Sequence, residues 1–364
     1  MATQKRKQIS RRGIIWLVSL GILAVLFVLS LILFRREAEE AGVIETSPYA
    51  LDSSASQRFA VMDGGYLAVA SGGGLQIFDE NGSLVQREAV TMLQPALDAS
   101  GDFAAACDVG GTTLVTMDRK GNVKSTELPN ALIAVAAATD GWIAVVSEAQ
   151  GYRGMVTVYD EKQNVVYEWY SGEDYVVNAA LSDNHTLAVL CAGSGGSKVH
   201  VFTMNSEEEA GYFASDELMM DLFWTDDGKL AALSEKRLVF LDRHAVQTAE
   251  YAFGGLHLYD YTTGGEGLTT LALSAYRTGG TCTLVTLNPS GKVIGERTVD
   301  AVTSVAAHGK QILVRSGEVL TLYNQQLEDM RTLEIDPLGL RDARLLQSGR
   351  VLLIYDYSCA VQEI

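Results

Sequence analysis

The sequence predicts an all-β protein, a β-propeller that follows one N-terminal transmembrane helix. Three observations support this prediction: one long uncharged segment near the N-terminus, short apolar runs that end in turns rich in Gly, Asp or Asn, and the recurrence of those runs about every 40 residues. The chain has 364 residues, of which 48% are hydrophobic and 20% are charged. This composition excludes a disordered or collagen-like protein.

The first element is the uncharged segment of residues 14–34, which is 21 residues long. At about 1.5 Å per residue, a helix of this length spans about 31 Å, which matches the hydrocarbon core of a bilayer. The alternative, a cleavable signal peptide, has an apolar region of about 7–15 residues followed by a small-residue cleavage site. Here the segment ends at Phe34-Arg35-Arg36, so we expect a retained membrane anchor.

The charges around this helix predict its orientation. Five bases precede the helix and two follow it, so the positive-inside rule places the basic tail, residues 1–13, in the cytoplasm. An acidic stalk, residues 35–48, and a propeller domain, residues 49–364, are then extracytoplasmic. Seven of the 28 bases lie in the first 36 residues, where there is no acid; the other 21 bases against 45 acids give a net charge of −24. A body this acidic is not expected to bind nucleic acid.

The body repeats a unit of one apolar strand and one turn. Residues 75–82 and 114–121 show it most clearly, and the runs 156–160, 199–203, 238–242, 284–288 and 319–324 continue the series. The positions equivalent to Asp79 are 39, 42, 43, 39, 46 and 36 residues apart. A further apolar strand precedes each of these runs, and four short strands in a period of about 40 residues are typical of propeller blades.

Eight such hairpins predict eight blades, with seven as the alternative. The eighth hairpin, residues 350–362, leaves no room for a fourth strand before the C-terminus. We therefore expect residues 43–51 to supply that strand, because a closed ring removes the open sheet edges that promote aggregation.

The recurring acidic residue after each strand is expected to be structural. Asp79 and Asp118 occupy the first position of turns that have Gly at the fourth, where Asp caps the backbone and Gly adopts a left-handed conformation. No segment has the alternating oxygen ligands and later glutamate of a calcium loop. The sequence therefore predicts no metal site in these turns.

Residues 78–85, Phe-Asp-Glu-Asn-Gly-Ser-Leu-Val, and residues 287–294, Leu-Asn-Pro-Ser-Gly-Lys-Val-Ile, are similar to the repeats of quinoprotein-like and WD-type propellers. The order of basic tail, single span and acidic propeller resembles an uncharacterised family of membrane-anchored propellers from Gram-positive bacteria. This resemblance implies a fold and a location, and no activity. The Trp that ends each quinoprotein repeat occurs only once, as Trp169, so no cofactor is expected.

The sequence contains no recognisable catalytic or metal-binding motif. The four cysteines, at positions 107, 191, 282 and 359, form no Cys-x-x-Cys pair and lie in apolar strands of different blades, so we expect buried free thiols. The five histidines share no ligand-like spacing. No catalytic residue is assigned, and the protein is not expected to be an enzyme.

Two aromatic groups, at residues 167–175 and 251–261, lie near predicted blade junctions. Strand alternation puts Tyr167 and Trp169 on one face of a strand, with Glu168 and Tyr170 on the other. We favour packing between blades as their role, because aromatic side chains fill large sheet interfaces. The alternative is an exposed anchor for a partner protein.

Candidate partner-binding residues lie in the loops that join the second and third strands of three blades. The segments 147–154, 191–198 and 274–281 are long and rich in Gly, and each carries one base: Arg153, Lys198 or Arg277. Two of them repeat a Tyr-Arg pair, which adds Tyr152 and Tyr276. The alternative is that exposed bases only keep long loops soluble.

These observations favour a non-catalytic protein-binding or scaffolding module of the cell envelope, held at the cell membrane by a single span. Its expected partner is another envelope or membrane protein. The alternative is an enzyme or ligand-sensing propeller with a site over the central channel.

We expect protease added to intact cells to degrade the body of the protein, because the charges place residues 49–364 outside the membrane. The measurement is immunoblotting for the body before and after cell lysis. A body that survives protease until the cells are lysed would contradict the predicted orientation.

Overall fold

The computed structural model of the chain describes residues 56–364, apart from residues 205, 207, 347–348 and 356–357. The strands given below belong to one compact unit. The predicted tail, membrane helix and stalk, and the predicted closing segment at residues 43–51, lie outside the described residues. Among the described residues, no helix is long and apolar enough to cross a membrane.

The described residues fold into antiparallel sheets that follow one another along the chain. The first sheet contains β1 (Arg58–Val61), β2 (Leu67–Ser71), β3 (Gly74–Phe78) and β4 (Leu84–Glu88). The second contains β5 (Pro95–Ser100), β6 (Phe103–Asp108), β7 (Thr113–Asp118) and β8 (Val123–Glu127). The third contains β9 (Leu132–Ala137), β10 (Ile143–Ser147), β11 (Met155–Tyr159) and β12 (Val165–Tyr170).

Two more four-stranded sheets continue this order. The fourth sheet contains β13 (Tyr175–Leu181), β14 (Thr186–Gly193), β15 (Gly196–Thr203) and β16 (Glu209–Ser215). The fifth contains β17 (Met219–Trp224), β18 (Leu230–Ser234), β19 (Arg237–Leu241) and β20 (Gln247–Ala252). The described residues also form two short 3-10 helices, Asp63–Gly65 and Gly265–Gly267.

The sixth sheet has seven strands because its fourth strand is long. Its strands are β21 (His257–Thr263), β22 (Thr269–Ser274), β23 (Gly280–Leu287), β24 (Val293–His308), β25 (Gln311–Ser316), β26 (Val319–Tyr323) and β27 (Asp329–Glu334). Strand β24 pairs with β23 up to Val302 and with β25 from Val302 onward. The last sheet has three strands, β28 (Leu340–Leu345), β29 (Arg350–Tyr355) and β30 (Cys359–Glu363).

The core lies between the faces of successive sheets. The middle strands are buried along their whole length in several sheets, as in β2, β10 and β18, because both of their faces are covered. Each sheet shares one apolar cluster with the sheet before it and another with the sheet after it. The seven-stranded sheet holds a further cluster between its first and second halves. The last sheet packs on the first through Leu352 and Ile354 against Leu67 and Val69. The predicted β-propeller is therefore confirmed as the architecture of this unit.

The turn residues act as predicted. The Asp79 Oδ1 atom accepts hydrogen bonds from the backbone N–H groups of Asn81 (2.9 Å) and Ser83 (2.8 Å), and Gly82 has a φ of +82°. The same pair of bonds forms at residues Asp118, Asp160, Asp242, Asn288 and Asn324. These side chains close hairpins at matching positions of successive repeats.

The predicted state of the cysteines is also confirmed. Cys107, Cys191, Cys282 and Cys359 are free and buried, each in a strand of a different sheet. Burial raises the pKa of the Cys107 thiol to about 12, so it stays protonated at neutral pH.

Deleting residues 43–51 should lower the melting temperature of the full chain. The last sheet has three strands among the described residues, and β30 is its edge, where residues 43–51 are predicted to add the fourth strand. The measurement is thermal unfolding followed by circular dichroism. A deletion of residues 37–40, within the predicted stalk, is the control and should leave the melting temperature unchanged. Equal melting temperatures for the 43–51 deletion and the unaltered chain would contradict strand exchange.

Candidate functional site

One face of the propeller, called here the upper face, carries the loops that join the second and third strands of each sheet and the connections between sheets. Contacts between the two kinds of segment define it. The Arg153 N–H donates to the Ser171 carbonyl (2.8 Å), and the Lys198 ammonium contacts the Asp174 carboxylate (2.6 Å). All five predicted binding residues lie on this face.

Two of the three loops expected to be long are long. Seven residues, 148–154, join β10 to β11, and five, 275–279, join β22 to β23. The expectation for residues 191–198 is wrong, since Cys191 pairs with Lys198 and Gly193 with Gly196 inside a continuous hairpin. The glycines there allow β14 and β15 to extend, so only residues 194–195 form the turn.

The first Tyr-Arg pair is held by neighbouring tyrosines. The Tyr152 ring packs on the Tyr170 ring, with 4.9 Å between centroids. The Arg153 guanidinium donates to the Tyr175 hydroxyl (2.7 Å) and lies 5.0 Å from the centroid of that ring. Tyr152, Tyr170 and Tyr175 are 52%, 41% and 56% exposed, so this group presents aromatic surface to solvent.

The other predicted bases are paired with acids. Lys198 contacts Asp174 and, at 3.4 Å, Glu173; the hydrogen bond to Asp174 raises the pKa of Lys198 above its ordinary value. Arg277 contacts Glu235 at 3.1 Å. Tyr276 is 72% exposed.

The structure thus brings part of the predicted set together. Arg153 contacts Tyr175, the first residue of β13, and Lys198 contacts Asp174, the residue just before it. The second Tyr-Arg pair lies at the fifth and sixth sheets instead, where Arg277 meets Glu235. The predicted loops therefore form two separate places on the upper face.

Further exposed apolar side chains on this face were not predicted. Leu93, Leu218 and Leu338, in the connections between sheets, are 78%, 62% and 83% exposed. Val177 and Met220, at the upper ends of β13 and β17, are 38% and 48% exposed. The sequence signal for these side chains is an apolar residue among turn residues. A single leucine in a loop does not belong to a periodic pattern, so its exposure could not be predicted.

The predicted packing role of one aromatic group is confirmed for two of its members. Tyr167 and Trp169 pack against the cluster between the third and fourth sheets, where Phe202 lies 5.7 Å and 5.3 Å from their ring centroids. Glu168 and Tyr170 lie on the opposite face of β12, as alternation predicted, and line a cavity toward the second sheet.

The central channel is lined by the first strands of the sheets. Two cavities of about 550 and 700 Å³ lie along it and share Asp221, Phe223 and Thr263. A polar residue recurs in these strands at positions 98, 178, 221, 260 and 342. At Asn178, Asp221, Asp260 and Asp342 the side-chain oxygen accepts the N–H of the next residue, and the strand register shifts there.

These polar side chains also join strands that lie next to one another around the channel. Asp98 accepts the Ala137 N–H (2.8 Å), and Asp260 accepts the Val305 N–H (2.8 Å). The Asn178 amide donates to Asp221 (2.9 Å). The Tyr261 hydroxyl donates to the other oxygen of Asp221. Asp98, Asp221 and Asp260 therefore accept hydrogen bonds that join the strands lining the channel.

Sequence analysis did not predict these polar channel residues, although the sequence contains a pattern that indicates them. The positions 178, 221 and 260 are 43 and 39 residues apart, which is the spacing of the repeat, and each interrupts an apolar strand. Among the described residues, no group of three or more His, Cys, Asp and Glu side chains is arranged to hold a metal ion.

Burial in the channel raises the pKa of Asp98 to about 6, against an ordinary value of 3.8. Burial also raises the pKa of Asp260. An acid whose pKa is higher in the folded state binds more protons folded than unfolded between the two values, so its contribution to stability falls as pH rises through that window. Asp98 is thus a site at which neutral pH weakens the fold.

We expect the stability of the unaltered chain relative to Asp98→Asn to fall by about 2 kcal/mol between about pH 4 and pH 6, because only the unaltered chain releases this proton. The measurement is urea unfolding of both chains across that range. A stability difference that stays constant or grows with pH would contradict the assignment.

Comparisons with solved structures identify the fold. The structure is similar to that of Sqt1 from Saccharomyces cerevisiae, with a TM-score of 0.61, 10% identity, and coverage of 87% of this chain and 98% of that one. It is also similar to the C-terminal WD40 domain of Sif2, with a TM-score of 0.57, 11% identity, and coverage of 87% and 94%. At these identities the likeness shows the propeller fold alone.

Sequence comparison places the chain in a family. No curated protein matches the sequence. A family model described as a family of unknown function, DUF5711, matches residues 36–332, which is more than half of the chain. The chain therefore belongs to the DUF5711 family.

Proposed function

We propose that this chain is a membrane-anchored, extracytoplasmic propeller of eight blades that binds partner proteins of the cell envelope and performs no catalysis. One observation carries the proposal: exposed tyrosine and aliphatic side chains are concentrated on the upper face. Tyrosine is enriched at the centres of protein interfaces, where its ring is buried and its hydroxyl finds a hydrogen-bond partner.

The upper face has the two parts that an interface needs. Tyr152, Tyr175 and Tyr276 supply large rigid side chains that lose little entropy on binding. The ion pairs Lys198–Asp174 and Arg277–Glu235 supply a polar surround.

The count of eight blades is supported by the way β24 pairs. Its first part completes the four strands that begin with β21, and its second part starts the four that end with β27. Ala301 has a φ of +53° where the pairing changes. The seven-stranded sheet then counts as two blades, and the other six sheets make eight.

The proposed location follows from sequence features outside the described residues. The uncharged segment 14–34 is long enough to span a bilayer, and the excess of bases before it favours a cytoplasmic N-terminus. The resemblance to propellers of Gram-positive bacteria supports an envelope partner.

A second candidate function is binding of a small polar ligand in the central channel. The cavity of about 700 Å³ there is lined by Asp260, Asp342, Arg341 and Arg344, which supports this alternative. Asp260 accepts two backbone hydrogen bonds, and Asp342 accepts one and contacts Arg344 at 2.8 Å. These bonds favour a structural role for both carboxylates.

Replacing Tyr152, Arg153, Tyr276 and Arg277 together with Ala should abolish partner capture in crosslinking and pull-down from intact membranes, because it removes the aromatic surface of both loops. The melting temperature should change little, since all four side chains lie in loops.

The control is Arg243→Ala with Val246→Ala, which alters a turn at the opposite end of the fifth sheet, where Val246 is 59% exposed. This variant should capture the partner normally. Undiminished capture by the fourfold variant would contradict the assignment of the loops.

A further inference from the structure

A cavity of about 220 Å³ opens beside the long loop 148–154, between the second and third sheets. Ala149 and Gln150 of that loop form one wall, and Leu128 and Pro129 of the preceding connection form another. Pockets for drug-sized ligands usually exceed about 300 Å³. The space therefore suits one long side chain better than a whole small molecule.

The walls of the cavity combine aromatic rings with one carboxylate. Tyr159 and Tyr170 line it together with Met155. Of the described residues that line it, Glu168 alone is charged. The Tyr170 hydroxyl lies 3.4 Å from the Glu168 carboxylate, and the exposed Tyr152 ring covers the Tyr170 ring.

Glu168 differs from several acids of the upper face in having no base beside it. On the same face Asp174 contacts Lys198, Glu235 contacts Arg277, and Glu250 contacts Arg237. No ion pair to Glu168 forms among the described residues. A carboxylate next to aromatic rings attracts a cation both by charge and through the ring quadrupoles.

We propose that this cavity takes a lysine or arginine side chain from a basic segment of a partner protein. The proposal rests on the protein-binding function proposed above and names the chemistry of the partner. The aliphatic stem of the entering side chain lies along Val145 and Met155, and its charged end meets Glu168 and Tyr170. The net charge of −24 beyond residue 36 draws a basic segment toward the body at long range.

A protein segment fits the surroundings better than a free amine. The cavity opens where Tyr152 and Tyr175 are exposed, and residues on either side of the inserted base would pack on those rings. A free polyamine has no side chains to make these contacts.

The test uses the full-length chain and a short peptide of alternating lysine and leucine, with binding measured by calorimetry at low and at physiological salt. We expect Glu168→Gln to weaken binding about fivefold or more, since it removes the carboxylate and keeps the shape. The matched control is Glu161→Gln, which removes the same charge from the exposed turn at the other end of the same hairpin. It should change affinity less than about twofold, because screening weakens distant charges.

A second pair of variants tests the ring. Tyr170→Phe should keep the affinity, and Tyr170→Leu should lower it about threefold, because only the latter removes the aromatic face. Melting temperatures show that each variant is folded.

Three outcomes would overturn the proposal: an equal loss in Glu168→Gln and Glu161→Gln, an absence of peptide binding by the unaltered chain at low salt, or equally tight binding of spermidine. The chain could fail these peptide tests and still capture an envelope protein through its upper face. That result would support the proposed binding function and contradict only the proposal that the partner inserts a basic side chain.

Discussion

The structure depends on the packing of the middle strands of each sheet against both neighbouring sheets. In β2 and β18 every residue is buried, so each strand contributes apolar area to two interfaces at once. A sheet of this kind has no face that water can cover, and it is stable only between two others. The apolar contact between the last sheet and the first, at Leu352 and Leu67, is therefore part of the core of both.

Hydrogen bonds along the central channel fix the spacing of the sheets, which apolar packing alone does not determine. First strands are less buried than middle strands, and hydrophobic contact alone does not fix how far one sheet lies from the next. Asp98 fixes this spacing by accepting a backbone N–H of the following sheet at 2.8 Å, and Asp260 does the same between β21 and β24 of the seven-stranded sheet. Burial raises the pKa of Asp98, so ionisation of this carboxyl lowers the stability of the fold.

Much of this fold could be predicted from the sequence because its signals are local. The fully apolar middle strands and the turns that begin at Asp79 and Asp118 each lie within a window of about ten residues. The hydrogen bonds of the channel residues could not be predicted because their partners are distant in sequence: Asp98 binds Ala137 and Asn178 binds Asp221. The prediction of a long loop at residues 191–198 was wrong for another reason, since the glycines of residues 193–196 permit an extended strand as readily as a loop. At the candidate site, sequence found the loop with Tyr152, while the cavity beside Glu168 needed the packing of two sheets to appear.

The uninterrupted course of β24 has a consequence for how the ring comes apart. Other sheets are separated by loops that can open without breaking a ladder, whereas Val293–His308 gives its two halves to two sets of strands. Loss of the ladder between β23 and β24 frees an edge of the strands that follow. Residues 257–334 should accordingly exchange their amide hydrogens as one cooperative unit, about twice the size of any other in the ring. The sequence of the propeller repeats at a regular spacing, but the units that unfold locally are not all of the same size.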